Sequence, residues 1–132
     1  MSKQNHFFFL FVFCIALFAC NHADQLPVRE MVLDFDEIKV SQRGDIQIRF
    51  KEVDNDSRCP SDAICSWPGL GVVVIELVAD GLREEMTLSV NERTKYFEST
   101  IFENHEITLL ELSPYPVSFY EAEDYQIKLS IE

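Results

Sequence analysis

Two apolar runs separated by a two-residue turn limit what this chain can fold into. Val72 to Val78 reads Val-Val-Val-Ile-Glu-Leu-Val, a run dominated by β-branched residues. Asp80-Gly81 follows it. Glycine accepts the positive φ that a tight hairpin needs, so this dipeptide is a strong turn signal. Leu82, Met86, Leu88 and Val90 then form the return strand, with Arg83 and Glu85 facing out. The first run is the most apolar strand of the chain. It is expected to be central and covered on both sides.

The flanking sequence supplies more strands. Val32-Leu33-Asp34-Phe35 and Ile38-Lys39-Val40 are short and β-branched, and Arg43-Gly44-Asp45 marks a turn. Ile46, Ile48 and Phe50 alternate with Gln47, Arg49 and Lys51, which gives one buried and one wet face. Beyond the hairpin, Asn91 to Lys95 is a polar connection, Tyr96 to Phe102 a strand, and Glu103-Asn104-His105 a turn. Ile107 and Leu109 are out of phase with Leu110 and Leu112, as a bulge would produce. Ser113-Pro114-Tyr115-Pro116 cannot continue a ladder, because proline lacks the donor. Tyr125, Ile127, Leu129 and Ile131 alternate cleanly. No stretch after Val32 carries a sustained helical stripe. The count is about seven or eight strands, which predicts an all-β, antiparallel β-sandwich, immunoglobulin-like or similar, with a small β-barrel as the alternative.

The N-terminal residues read differently. Phe7 to Phe18 is apolar without interruption and follows Lys3. Such a run is too short to span a bilayer as a helix and fits the apolar region of a secretory signal. It ends in Leu17-Phe18-Ala19-Cys20, which resembles the lipobox of bacterial lipoproteins. That resemblance implies removal of residues 1–19 and attachment of a diacylglyceryl group to the Cys20 thiol. Cysteine parity agrees. Cys14 leaves with the signal, and lipidation of Cys20 leaves Cys59 and Cys65 as an even pair. Residues 20–30 then read as a lipidated tether, and residues 31–132 as the β domain. This predicts a chain attached to the membrane through its N-terminal lipid, in the bacterial cell envelope, facing the periplasm or the cell exterior.

In an oxidising compartment Cys59 and Cys65 are expected to form a disulfide. The stretch that carries them, Asp56 to Gly69, lies between two strong strands and also holds the only tryptophan, Trp67. Its bland role is to pin an irregular crossover. Asp56 and Ser57 can bond nearby backbone donors, and Pro68-Gly69 suits a turn. Trp67 can cover the disulfide or the open end of the core, and Arg58 can stack on Trp67 or pair with an acid. The functional alternative makes the loop a rigid binding tip, with Arg58, Trp67 and Tyr115 as exposed contacts. A redox role is disfavoured, because five residues rather than two separate the cysteines. A calcium site at Asp54, Asp56 and Asp62 is disfavoured too, because Arg58 falls where a ligand should be.

The block Asp56-Ser57-Arg58-Cys59-Pro60, four residues, Cys65, one residue, Trp67, one residue, Gly69 resembles a motif in small, uncharacterised secreted bacterial proteins, many of them lipoproteins. Pro114-Tyr115-Pro116 and Asp124-Tyr125 match further segments of that family. The resemblance implies fold and location. It carries no activity.

Composition narrows the function classes. With 11 basic and 23 acidic residues, the formal net charge is −12. Such a chain repels phosphate backbones, so no nucleic-acid partner is expected. No glycine-rich phosphate loop, nucleophile elbow or metal-ligand spacing occurs in the sequence. Beyond the signal only His22 and His105 remain, and His105 is expected to be an exposed turn residue. No catalytic residue, metal or cofactor is therefore expected. The expected role is a non-catalytic binding or structural module of the envelope, with an envelope protein or a small ligand as partner. The alternatives are an inhibitor or regulator of an extracytoplasmic enzyme acting through loop 56–69, and a small hydrolase.

Overall fold

The hairpin read from the sequence is the centre of the molecule. The computed structural model describes residues 29–118 and 124–132. The signal, Cys20 and most of the tether lie outside the described residues. The central hairpin is β4 (Gly71–Ala79) and β5 (Leu82–Asn91), paired in continuous antiparallel register from Gly71↔Val90 to Ala79↔Leu82. Asp80 and Gly81 both take positive φ, as the turn requires.

Around this hairpin lies a five-stranded sheet in the order β2 (Ile38–Val40), β3 (Gln47–Asp56), β4, β5, β6 (Tyr96–Phe97). A four-stranded sheet faces it, in the order β1 (Arg29–Asp34), β9 (Gln126–Ile131), β8 (His105–Ser113), β7 (Ser99–Phe102). Every pairing is antiparallel. The expected antiparallel sandwich is the fold, and its connectivity is that of a meander in which only β1 pairs out of sequence. β1 starts at Arg29, within the stretch read as tether.

The two sheets are also joined along both sides, which is where sandwich and barrel meet. At one side the chain leaves β1, passes Asp36 at φ 63°, and enters β2. There Phe35 N–H donates to Tyr125 O at 3.1 Å, and Asp36 N–H donates to Phe50 O at 2.8 Å, so adjacent residues bond to opposite sheets. At the other side the expected single strand from Tyr96 to Phe102 is divided at Glu98. Glu98 N–H donates to Ser89 O at 3.1 Å, and Glu98 O accepts from Leu109 N–H at 3.0 Å. One extended segment therefore serves two sheets. Alternation along a strand is the same whichever sheet it joins, so the sequence pattern does not mark the switch.

The core is filled by the inward faces of both sheets. Ile48, Phe50, Val73, Ile75, Leu77, Leu88 and Val90 meet Leu33, Ile107, Leu109, Leu112, Ile127, Leu129 and Ile131. The expected bulge lies between Leu109 and Glu111. It moves Leu112 back to the inward face and leaves Leu110 half-buried. β4 is central but is not covered on both sides. Val72, Val74 and Val78 are half-buried on an outer face with no second layer among the described residues. Long side chains of the flanking strands screen that face instead. Lys51 of β3 pairs with Glu85 of β5, and Arg83 Nη1 donates to Glu76 Oε2 at 2.8 Å. A β-branched run thus reports a central strand, not the number of layers on it.

His105 is not an exposed turn residue. It opens β8, is buried, and its Nε2 lies 3.0 Å from Asp45 Oδ2 on the facing hairpin. Ser41 Oγ donates to Asp45 Oδ1 at 2.6 Å. That hydrogen bond above all, with a smaller contribution from His105, holds the Asp45 carboxyl below its ordinary pKa. The turn ends one residue earlier than its composition suggests, at Asn104, which takes φ 68°.

Candidate functional site

Loop 56–70 leaves the end of β3 and returns to the start of β4. Two register shifts in β3, at Phe50/Glu52 and Val53/Asn55, precede it. The two arms of the loop are zipped at their base. Ser57 N–H donates to Leu70 O at 2.9 Å, and Cys59 N–H donates to Pro68 O at 2.8 Å. Gly69 sits at φ 70°, and a Cβ there would lie 1.7 Å from Ser57 O. Only glycine allows the arms to approach this closely. Asn91, fully buried, donates through Nδ2 to Gly69 O at 2.7 Å and Pro68 O at 3.1 Å.

Arg58 is the anchor of this base, not an exposed contact. It is 2% exposed. Its Nε donates to Asp56 Oδ1 at 2.8 Å and its Nη2 to Asp56 Oδ2 at 2.7 Å, a two-pronged pairing. Nη1 donates to Glu92 Oε1 at 3.1 Å and to Leu112 O at 2.5 Å. Nη2 also donates to Pro114 O at 3.1 Å. All five guanidinium N–H groups therefore have acceptors. Burial alone would lower the arginine pKa, but hydrogen bonds and charge from Asp56 and Glu92 outweigh it, and the pKa is raised. Gly71 leaves room for this side chain, since a Cβ there would meet Leu112 Cδ2 at 2.7 Å and Arg58 Nε at 3.2 Å.

The expected choice between Trp67 and an acid as partner of Arg58 is decided for the acids. The ring that stacks on Arg58 is Tyr115, with Arg58 Cζ 4.7 Å from its centroid and Arg93 Cζ 4.9 Å from it. Tyr115 is half-buried between two guanidinium groups, so it too is a packing residue more than an exposed contact. Tyr115 of the Pro-Tyr-Pro segment thus takes the packing place beside Arg58 that was one of the alternatives for Trp67. Glu92 and Asn91 carry much of this arrangement. Sequence reasoning placed both in a polar connection, and nothing local separates a structural acid from a solvated one.

The far half of the loop is the opposite kind of surface. Cys59 and Cys65 form the expected disulfide, with Cα atoms 5.9 Å apart. Cys59 is buried and Cys65 exposed. Trp67 is 73% exposed and Ile64 fully so. An open groove of about 340 Å³ runs between the disulfide, Ile64, Trp67, Pro68 and Arg93. Three further bonds hold this tip to the rest. Ser61 N–H donates to Pro116 O at 2.9 Å, Ser118 N–H to Asp62 Oδ1 at 2.8 Å, and Arg93 Nη2 to Ser61 O at 3.3 Å. The Ser118 bond is the main reason the Asp62 carboxyl lies below its ordinary pKa. Asp54, Asp56 and Asp62 do not converge. Among the described residues no group of three or more His, Cys, Asp or Glu side chains is placed to hold a metal ion.

No protein-family model matches this chain, and neither a curated protein nor a solved structure is similar to it.

Proposed function

We propose that this protein is a non-catalytic binding module of the bacterial cell envelope. It is anchored through a lipid on Cys20 and engages its partner through the tip of loop 56–70. The observation that carries this reading is an exposed tryptophan and an exposed isoleucine on a loop that a disulfide and a buried arginine hold rigid. Large apolar side chains on a surface tip gain burial only from a partner. A preorganised loop loses little entropy when it binds. The disulfide supports an oxidising location.

Cross-linking in intact cells, followed by capture and mass spectrometry, tests the reading. Wild type is compared with an Ile64→Ser, Trp67→Ala double variant of equal abundance. A partner captured by wild type and lost in the variant is expected. Equal capture by both would return the tip to a structural role. If the captured partner is an extracytoplasmic enzyme, its activity with and without the protein separates a regulator from a passive binder. The anchor has its own test. Mass spectrometry of the mature N-terminal peptide should find a diacylglyceryl adduct on Cys20, and Cys20→Ala should release the domain from the membrane.

A further inference from the structure

The chain is acidic, yet its groove is not. Six of its cations pair with carboxylates among the described residues: Lys39, Arg49, Lys51, Arg58, Arg83 and Lys128. Arg93, at the mouth of the groove, has no carboxylate partner among them. It is also the only charged residue of the described groove lining. Its side chain is nonetheless held in place, by the Tyr115 ring 4.9 Å away and by one hydrogen bond to Ser61 O at 3.3 Å. Only that one hydrogen bond engages its fork among the described residues, so further N–H groups remain to donate. An arginine positioned by stacking, with donors free, matches a carboxylate. Beside it Trp67 and Ile64 offer apolar surface, and Ile64 in particular gains from an apolar side chain more than from a hydroxylated ring.

We infer that the tip groove takes a peptide segment of a partner protein that carries an acidic side chain next to an apolar one. The carboxylate pairs with Arg93, and the apolar side chain packs between Trp67, Ile64 and the Cys59–Cys65 disulfide. The inference rests on the tip being the binding surface and names the chemistry that the tip selects. The acidity of the remaining surface favours a short segment over an extended acidic face, because the groove sets Arg93 directly beside exposed apolar side chains.

A random peptide library displayed on phage, selected on the full-length protein in detergent micelles and counter-selected on the Trp67→Ala variant, tests this. Enriched peptides should carry Asp or Glu beside Leu, Ile, Phe or Trp. Trp67 is the only tryptophan, so tryptophan-free members can be titrated directly by its fluorescence. Replacing the peptide acid by its amide, or Arg93→Gln in the protein, should each weaken binding about tenfold or more. The two changes together should cost no more than one alone. Arg93→Lys should restore part of the loss, and thermal melts of both variants control for the lost stacking on Tyr115. Enriched peptides that are neutral or basic, yet depend on Trp67, would overturn the acidic preference and leave the tip as a binding surface. No enrichment would overturn it as well, and the cross-linking comparison would then decide the tip independently.

Discussion

The base and the tip of loop 56–70 are a few residues apart and are built on opposite principles. At the base, charged groups are buried and matched, and only the Tyr115 hydroxyl is buried without a partner among the described residues. Arg58 satisfies two carboxylates and two carbonyls, and Gly69 and Gly71 let the backbone and the arginine pack without clash. At the tip, apolar groups are exposed and unmatched. A buried charge network is costly to break because each remaining partner is left desolvated. An exposed apolar group is nearly free to lose, because water already surrounds it. The contrast teaches where to look for function in this chain. Arginine and tryptophan occur in one motif, but only the tryptophan is available to a partner.

The sharpest way to break the comparison is at Arg58. Arg58→Ala leaves Asp56 and Glu92 without their cation and should cost about 3–5 kcal/mol. Thermal unfolding followed by circular dichroism should show a fall of roughly 15 °C or more for a domain of this size. A loss of only a few degrees would mean that the base is not the anchor. The disulfide comes next. Its short loop predicts a loss of about 2 kcal/mol on Cys59→Ser with Cys65→Ser, measured by denaturant unfolding. The sandwich should persist, because the hydrogen bonds at Ser57, Cys59 and Ser61 do not depend on the sulfur bridge. If the double serine variant were less stable than Arg58→Ala, the ranking of base over tip would be reversed.

Acid sharpens the comparison further. The Asp62 carboxyl has a lowered pKa, chiefly because it accepts the Ser118 N–H. A lowered folded value contributes stability above the ordinary aspartate pKa of about 4 and loses it as pH falls through the folded value. The Ser118 amide resonance should therefore titrate below that pH, and Asp62→Asn should abolish the titration. A midpoint at or above the ordinary value would show that this tether does not form. The smallest expected effect belongs to the tip itself. Trp67→Ala and Ile64→Ser should each change stability by less than about 0.5 kcal/mol in the same unfolding assay, while partner capture is lost. A larger loss would mean that these side chains pack in the folded domain.

Much of the fold was legible because alternation is a local property. The hairpin at Asp80-Gly81, the bulge near Leu110, the inward faces of β3 and β9 and the proline stop after Ser113 all follow from neighbouring residues. His105 was misplaced because one residue of turn length decides whether it faces Asp45 or solvent. The division at Glu98 was hidden because a strand keeps its period when it changes sheets.

The sequence by itself determined an all-β domain, its central hairpin, its cysteine pair and the loop that carries this pair with Trp67. These depend on backbone preference, side-chain period and covalent chemistry, which act over a few residues. Only the tertiary structure decided which members of that loop are buried. Arg58 meets Glu92, Leu112 and Tyr115, which lie far along the chain and are brought together by the packing of the two sheets. A charged side chain near a cysteine and a tryptophan can face a partner or close a core. Which it does depends on whether distant carboxylates and carbonyls arrive to satisfy its donors, and no short stretch of sequence carries that information.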